Sequence, residues 1–275
     1  MQINKNGVEE PNRGKEMPDS TRRIIAGRWE SPFVARLKRL VDLTPGDIEA
    51  LRRLIEGELT VAKRRDLIVD GYQSNKLSFV KQGVAARYKV LRNGKRQIVH
   101  VLVAGDIVGL PGSFLDQATM SVVALSEMKI EVCSLDAFVA TSYRRPKFAL
   151  ALAWLAVHET ATYAEHIIDI GRRTALERLA HFLLEIHGRL KLVGRATETA
   201  FDLPISQEVM GDALGLSVPH VNRMLARLRK EGMIVATERH IQFIDMRALQ
   251  LLAHFQPVQL SRIPLSVAMG HELIA

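Results

Sequence analysis

The stretch LPISQEVMGDALGLSVPHVNRMLARLRKEG, Leu203 to Gly232, decides how this chain is read. Ser206 is placed to cap a helix over Gln207–Leu214, because a serine hydroxyl accepts from the free N–H groups of a first turn. Gly215 supplies the left-handed residue that stops that helix. Leu216 is expected to pack inward, Ser217 to cap a second helix, and Pro219 to fall in its first turn, where a missing N–H costs nothing. Two helices joined by a short glycine-containing turn make a helix-turn-helix. Helical spacing puts Val221, Leu225 and Leu228, with Met224 beside them, on the inner face of the second helix. Ser217, His220, Asn222, Arg223 and Arg227 are left outside. An arginine can donate two parallel bonds to guanine O6 and N7, and an asparagine can do the same for adenine. Asn222 and Arg223 are therefore the candidate base readers. His220 suits a base or a phosphate, and Arg227, Arg229 and Lys230 suit phosphates or a solvated basic face.

Downstream, Met233–Ala236 and Ile241–Ile244 read as two short strands around the polar turn Thr237–His240, a wing beside the second helix. Winged helices also serve as protein-binding modules, and that alternative stays open here. Upstream, Arg173–Ile186 is an amphipathic helix, and the segment from Gly188 to Asp202 reads as a loop. From Pro146 a four-and-three step links Ala149, Ala153, Ala156, Thr160, Tyr163, Ile167 and Ile170, the pattern of a coiled-coil seam, and Gly171 marks its end. A long lone helix needs a partner for such a stripe, and a second subunit is the economical one. Before it, residues 57–139 carry short alternating runs broken by single glycines, with Asn93-Gly94 as a hairpin turn and Ala104-Gly105-Asp106 as the next. Many short strands at this spacing indicate a β-barrel or a double-sheet roll. Thr44-Pro45 starts a helix, Trp29 opens the ordered chain, and the polar residues before it read as a disordered tail.

Together these features resemble a Crp/Fnr-family bacterial transcription regulator over about residues 30 to 247. Gly71, Gln82-Gly83, Asn93-Gly94-Lys95 and Gly105-Asp106-x-x-Gly109 carry the match in the β domain. Gln207, Ala213, Gly215, Leu216, Ser217, Val221, Arg223, Leu225, Leu228, Gly232 and Ile234 carry it in the helix-turn-helix. The resemblance implies an α+β fold: an N-terminal antiparallel β-roll of the cyclic-nucleotide-binding type, a long dimerisation helix and a C-terminal winged helix-turn-helix. The expected division is a tail at 1–28, the roll at 29–143, the dimerisation helix at 144–170, the DNA-binding unit at 171–247 and a tail at 248–275. It implies a homodimer on double-stranded DNA with half-sites roughly 34 Å apart, and RNA polymerase as a partner. Gln207 joins the DNA-contacting set on this ground.

The chain also departs from the family. Cyclic-AMP-binding members place a glutamate after the turn glycine and an Arg-Ser pair about ten residues on. Here Gly109 is followed by Leu110-Pro111-Gly112, and the later segment reads Ala118-Thr119-Met120-Ser121, with no arginine for a phosphate. Gly109, Leu110, Gly112, Thr119 and Ser121 remain the candidate effector pocket, its ligand unknown, with cyclic AMP held in the usual way disfavoured. Val218-Pro219 stand where the best-known members carry an acidic base reader, so the operator should differ. His158, Glu159, Thr162, His166 and Asp169 fall along the long helix at helical spacing, where two helices bring metal ligands together or line an interface; the reading calls for no metal and no cofactor. The net charge of +8 in 275 residues favours a polyanionic partner. The single cysteine, Cys133, lies in a strand-like run as a small hydrophobe and fits a reducing cytoplasm. No secretory signal, membrane span or credible nucleophile–base pair is visible, which argues against an enzyme and for a cytoplasmic protein.

Overall fold

The computed structural model describes residues 31–257, so the tail expected over 1–28, with Trp29, lies outside the described residues. Two helices come first, α1 (Pro32–Leu40) and α2 (Pro45–Leu54). Thr44 caps α2: its hydroxyl accepts from the Asp47 N–H at 3.2 Å, and the Asp47 carboxylate accepts from the Thr44 N–H at 2.9 Å. Asp47 is buried and also takes Arg145 at 2.6 Å and Lys147 at 2.5 Å, which ties α2 to the start of the long helix.

Eight strands follow: β1 (Gly57–Val61), β2 (Asp66–Ile68), β3 (Lys76–Gln82), β4 (Ala85–Val90), β5 (Arg96–Leu102), β6 (Ile107–Val108), β7 (Ser121–Ala124) and β8 (Met128–Ser134). They pair antiparallel in two four-stranded sheets, ordered β1-β8-β3-β6 and β2-β7-β4-β5. The Asn93-Gly94 turn joins β4 to β5, which pair from Ala85↔Leu102 to Val90↔Arg96. Ile68, Val80, Leu102, Val122, Met128 and Ile130 fill the space between the sheets, because alternate residues of each strand point inward. This is the expected roll.

Helices α3 (Leu135–Arg144) and α4 (Pro146–Gly171) then fold, with α1, over the outer face of the first sheet. Phe33 of α1 stacks on Phe79 with ring centroids 4.0 Å apart, and Leu77, Cys133, Phe148 and Leu155 close that core. Burial pushes the Cys133 thiol up to about 12, so it packs as a hydrophobe and carries no thiolate at neutral pH.

The remaining elements are α5 (Ala175–Leu192), β9 (Ala200–Asp202), α6 (Gln207–Leu214), α7 (Val218–Lys230), β10 (Ile234–Ala236), β11 (His240–Phe243) and α8 (Met246–Leu252). Their core is continuous with the outer face of the second sheet: Val84, Ile98 and Val101 pack in one cluster with Leu179, Leu183 and Leu225. Three expectations are corrected here. The segment from Gly188 to Asp202 is not all loop, because α5 runs on to Leu192 with Leu190 buried, and Ala200–Asp202 adds a third strand to the wing in the order β10-β11-β9. The unit does not end at 247, because Asp245 caps α8 through the Ala248 N–H at 2.8 Å and Leu249 and Ala253 are buried; of the tail expected over 248–275, residues 258–275 lie outside the described residues. The third concerns the seam of α4. Tyr163 is turned inward, where the Arg87 guanidinium donates to its hydroxyl. The other six expected seam residues, Ala149, Ala153, Ala156, Thr160, Ile167 and Ile170, are exposed, and Leu150, Val157 and Ala164 widen that stripe into a neighbouring row in steps of three and four with Ala153, Thr160 and Ile167, away from the buried Phe148, Ala151, Leu155 and His158. Among the described residues no helix is long and apolar enough to cross a membrane.

Candidate nucleic-acid interface

Helix α6 starts at Ser206, whose hydroxyl accepts from the Val209 N–H at 3.3 Å, and stops at Gly215, held at φ +65°. The turn closes when the Leu216 N–H donates to the Gly211 carbonyl at 3.0 Å. Gly211 is a determinant that helical spacing does not reveal: a Cβ there would lie 2.5 Å from the Leu216 carbonyl oxygen. The two helices of the motif approach closely only because that side chain is absent.

Helix α7 then presents two faces. Val221, Leu225 and Leu228 are buried, and Met224 packs against the same core. Asn222, Arg223, Arg227, Arg229 and Lys230 are exposed, with Ser217 at the helix start, while His220 and Gln207 are partly buried. Residues 213–230 contain no carboxylate, so this face is cationic. Two details depart from the sequence reading. Ser217 stands at the cap position but its hydroxyl makes no cap bond; its carbonyl instead accepts from His220 and Val221 at 2.9 and 3.0 Å. Arg227 is not free, because its Nε donates to Glu231 at 2.7 Å. The wing turn is closed by the Thr237 N–H donating to the His240 carbonyl at 2.9 Å, and His240 Nδ1 lies 2.8 Å from Asp202. Arg239 beside it is exposed.

The five candidate effector residues lie on separate short segments of the roll. Gly109 and Leu110 follow β6, and Gly112 lies in a 3-10 turn, Gly112–Phe114. The Ser121 hydroxyl accepts from the Asp70 N–H at 3.0 Å, and Thr119 is exposed. Lys89 reaches the Thr119 carbonyl at 2.8 Å but spends its charge on Asp70 at 2.6 Å. Leu110 lines a cavity with Arg36, His100, Asp106, Leu155 and His158 around it. Between the roll and α4, the buried Arg87 donates to Glu159 and Tyr163. Its cross-strand partner His100 is held neutral, well below its ordinary value, by burial and then by the charge of Arg189.

The polar residues of the long helix are likewise engaged within the chain. His158 Nδ1 lies 3.2 Å from Arg36, the Thr162 hydroxyl donates to the His158 carbonyl at 3.0 Å, and Asp169 holds Arg173 at 2.7 Å and His181 at 3.0 Å. His158 faces α1 on the roll side and Asp169 faces α5. Among the described residues no group of three or more His, Cys, Asp or Glu is arranged to hold a metal ion.

Comparison with known proteins agrees with this geometry. Residues 177–252 match the family model of the Crp-like helix-turn-helix domain, and residues 58–141 match that of the cyclic nucleotide-binding domain. A probable transcriptional activator of Rhizobium leguminosarum is 34% identical over 204 residues, 73% of this chain and 80% of that one. The nitrogen fixation regulation protein FixK of Bradyrhizobium diazoefficiens is 29% identical over 194 residues, 70% of this chain and 78% of that one. The solved structure of FixK2 from Bradyrhizobium japonicum superposes with a TM-score of 0.65 at 26% identity, covering 71% of this chain and 96% of that one. With its β-roll, long helix and winged helix-turn-helix in that order, the chain belongs to the Crp/Fnr family of transcription regulators.

Proposed function

We propose that this regulator binds a two-fold symmetric DNA operator as a homodimer, with α7 of each subunit in the major groove and Asn222 and Arg223 reading base edges. The observation that carries this is the division of α7 into a buried apolar face and an exposed face free of carboxylates. Arg229 and Lys230 then serve the phosphate backbone, with Ser217, His220 and Gln207 at its edges and Arg227 shared with Glu231. The exposed row from Leu150 to Ile167 on α4 supports pairing with a second copy. Cytoplasmic action beside RNA polymerase, with no chemical catalysis, goes with this reading.

The effector domain does not hold cyclic AMP in the usual way. Leu110 stands after the turn glycine, Ser121 has no arginine beside it in sequence, and Arg87 gives its Nη1 to Glu159 and Tyr163. Burying a phosphate without a cation costs several kcal/mol, on the order of the penalty for any unpaired buried charge. DNA binding is tested by titrating the chain into labelled duplex at increasing salt. Each neutralised phosphate contributes about −0.9 to the slope of log K against log salt. A steep negative slope is expected; a slope near zero would favour a protein-binding winged helix.

A further inference from the structure

The winged unit is joined to the long helix by the short stretch Arg172–Thr174 and shares an apolar core with the roll, and two charged pairs add directional contacts to that shared face. The first is buried. Asp106, in the turn before β6, accepts from Arg189 of α5 and from Arg36 of α1, and takes the Val103 N–H at 2.7 Å. Arg189 is further fixed by Glu185 at 2.7 Å and donates to the Val101 carbonyl of β5 at 2.9 Å. The second is half-exposed. Arg96, at the start of β5, holds Asp212 of α6 through Nε at 2.7 Å and Nη2 at 2.5 Å. Gln97 next to it donates to the Asp212 carbonyl at 3.0 Å. The first contact reaches the helix that supports the motif, and the second reaches the motif's own first helix.

We infer that Arg96–Asp212 and Asp106–Arg189 are positioning pairs for operator recognition, fixing the winged helix to the roll so that the dimer accepts one half-site spacing. The inference rests on the dimeric operator reading above. Two recognition helices meet successive major grooves only if their separation and relative rotation match the duplex. An apolar face shared with the roll is non-directional and lets the unit slip or rotate against it; charged pairs at two points along that face fix one orientation. Arg96 stands about one-third exposed, so its loss removes a tether without leaving a charge in the core. Asp106 and Arg189 are both nearly fully buried, and Arg189→Gln leaves Asp106 its second cation, Arg36.

The test uses the full chain, an operator selected from random duplex, and versions of it lengthened by one and two base pairs at the centre. Native protein should bind the lengthened operators much more weakly than the parent. Arg96→Ala, Asp212→Ala and Arg189→Gln should each shrink that discrimination, by about two- to thirtyfold, the usual range for residues that couple sites. The Arg96→Ala/Asp212→Ala double variant should do no more than either single one, as for two partners of one contact. Binding to a single half-site should stay unchanged, since no base-contacting residue is altered. If Arg189→Gln fails to fold, by circular dichroism, the Arg96 and Asp212 variants decide the matter. Undiminished spacing discrimination in them overturns the inference, whereas native protein that binds no duplex overturns the functional reading instead.

Discussion

Arg223 is exposed on α7 and has no ion-pair partner among the described residues, so its replacement by alanine should leave the fold intact. The expected loss is about 1–3 kcal/mol on the selected operator, with relaxed preference at one base position. Competition binding against single-base operator variants checks this; equal loss on all sequences would mean that Arg223 only grips phosphate. Gly211 fails differently. A Cβ 2.5 Å from the Leu216 carbonyl oxygen meets backbone, which cannot rotate aside. Gly211→Ala should destabilise the chain by about 1–3 kcal/mol, the usual cost of overpacking. An unchanged urea midpoint would contradict this. The packing residues of the motif are legible in the sequence because helical spacing sorts Val221, Leu225 and Leu228 without reference to anything distant. Gly211 is not, since its reason is a carbonyl five residues on across a turn. Nor is the pairing of Arg227 with Glu231, which lies just past the helix.

Among the elements, the long helix shows how far periodicity carries and where it stops. Its length and its four-and-three stepping are visible from Pro146 to Gly171. Its register is less so, because alanines fill both neighbouring rows and give the pattern little contrast. Tyr163 alone departs from the expected row, and what turns it inward is the buried Arg87 of β4, remote in sequence. The exposed stripe carries a prediction. Val157→Glu with Ile167→Glu places two carboxylates on the exposed stripe and should halve the mass seen by light scattering. Tyr163→Phe, turned inward to Arg87, should leave that mass unchanged; an unchanged mass in the double variant would contradict pairing through this stripe. Helix α5 extends past the expected Arg173–Ile186 stretch, through Gly188 to Leu192. It continues because Ile186 and Leu190 bury one face and Arg189 finds Asp106. Strand β9 is only three residues long, too short for a period of two to register.

At the scale of the whole molecule, the roll and the winged unit share one core, and several histidines lie in or beside it. His100 and His158 are kept neutral by burial and then by nearby arginines, His158 at about 4, and burial also lowers His166 and His187. Each has a folded value below its unfolded value, so the unfolded chain binds more protons as the medium acidifies. Their contribution to stability is therefore complete above about pH 6.5 and is lost as pH falls through the folded values. The lowered Asp47 and Asp106 carboxylates act in the same direction but only in a more acid window. Urea midpoints should decline between about pH 7 and 5; midpoints flat over that range would show these histidines to be accessible to protons in the fold. All of this bears on a molecule whose purpose, in the present account, is to hold two α7 helices on one duplex. Selection of bound sequences from random double-stranded DNA by the full chain tests that claim most directly. The expected result is a two-fold symmetric consensus with half-sites about one helical turn apart, losing information at one base position per half-site in Arg223→Ala. Recovery of no consensus, or of a single asymmetric site, would contradict it.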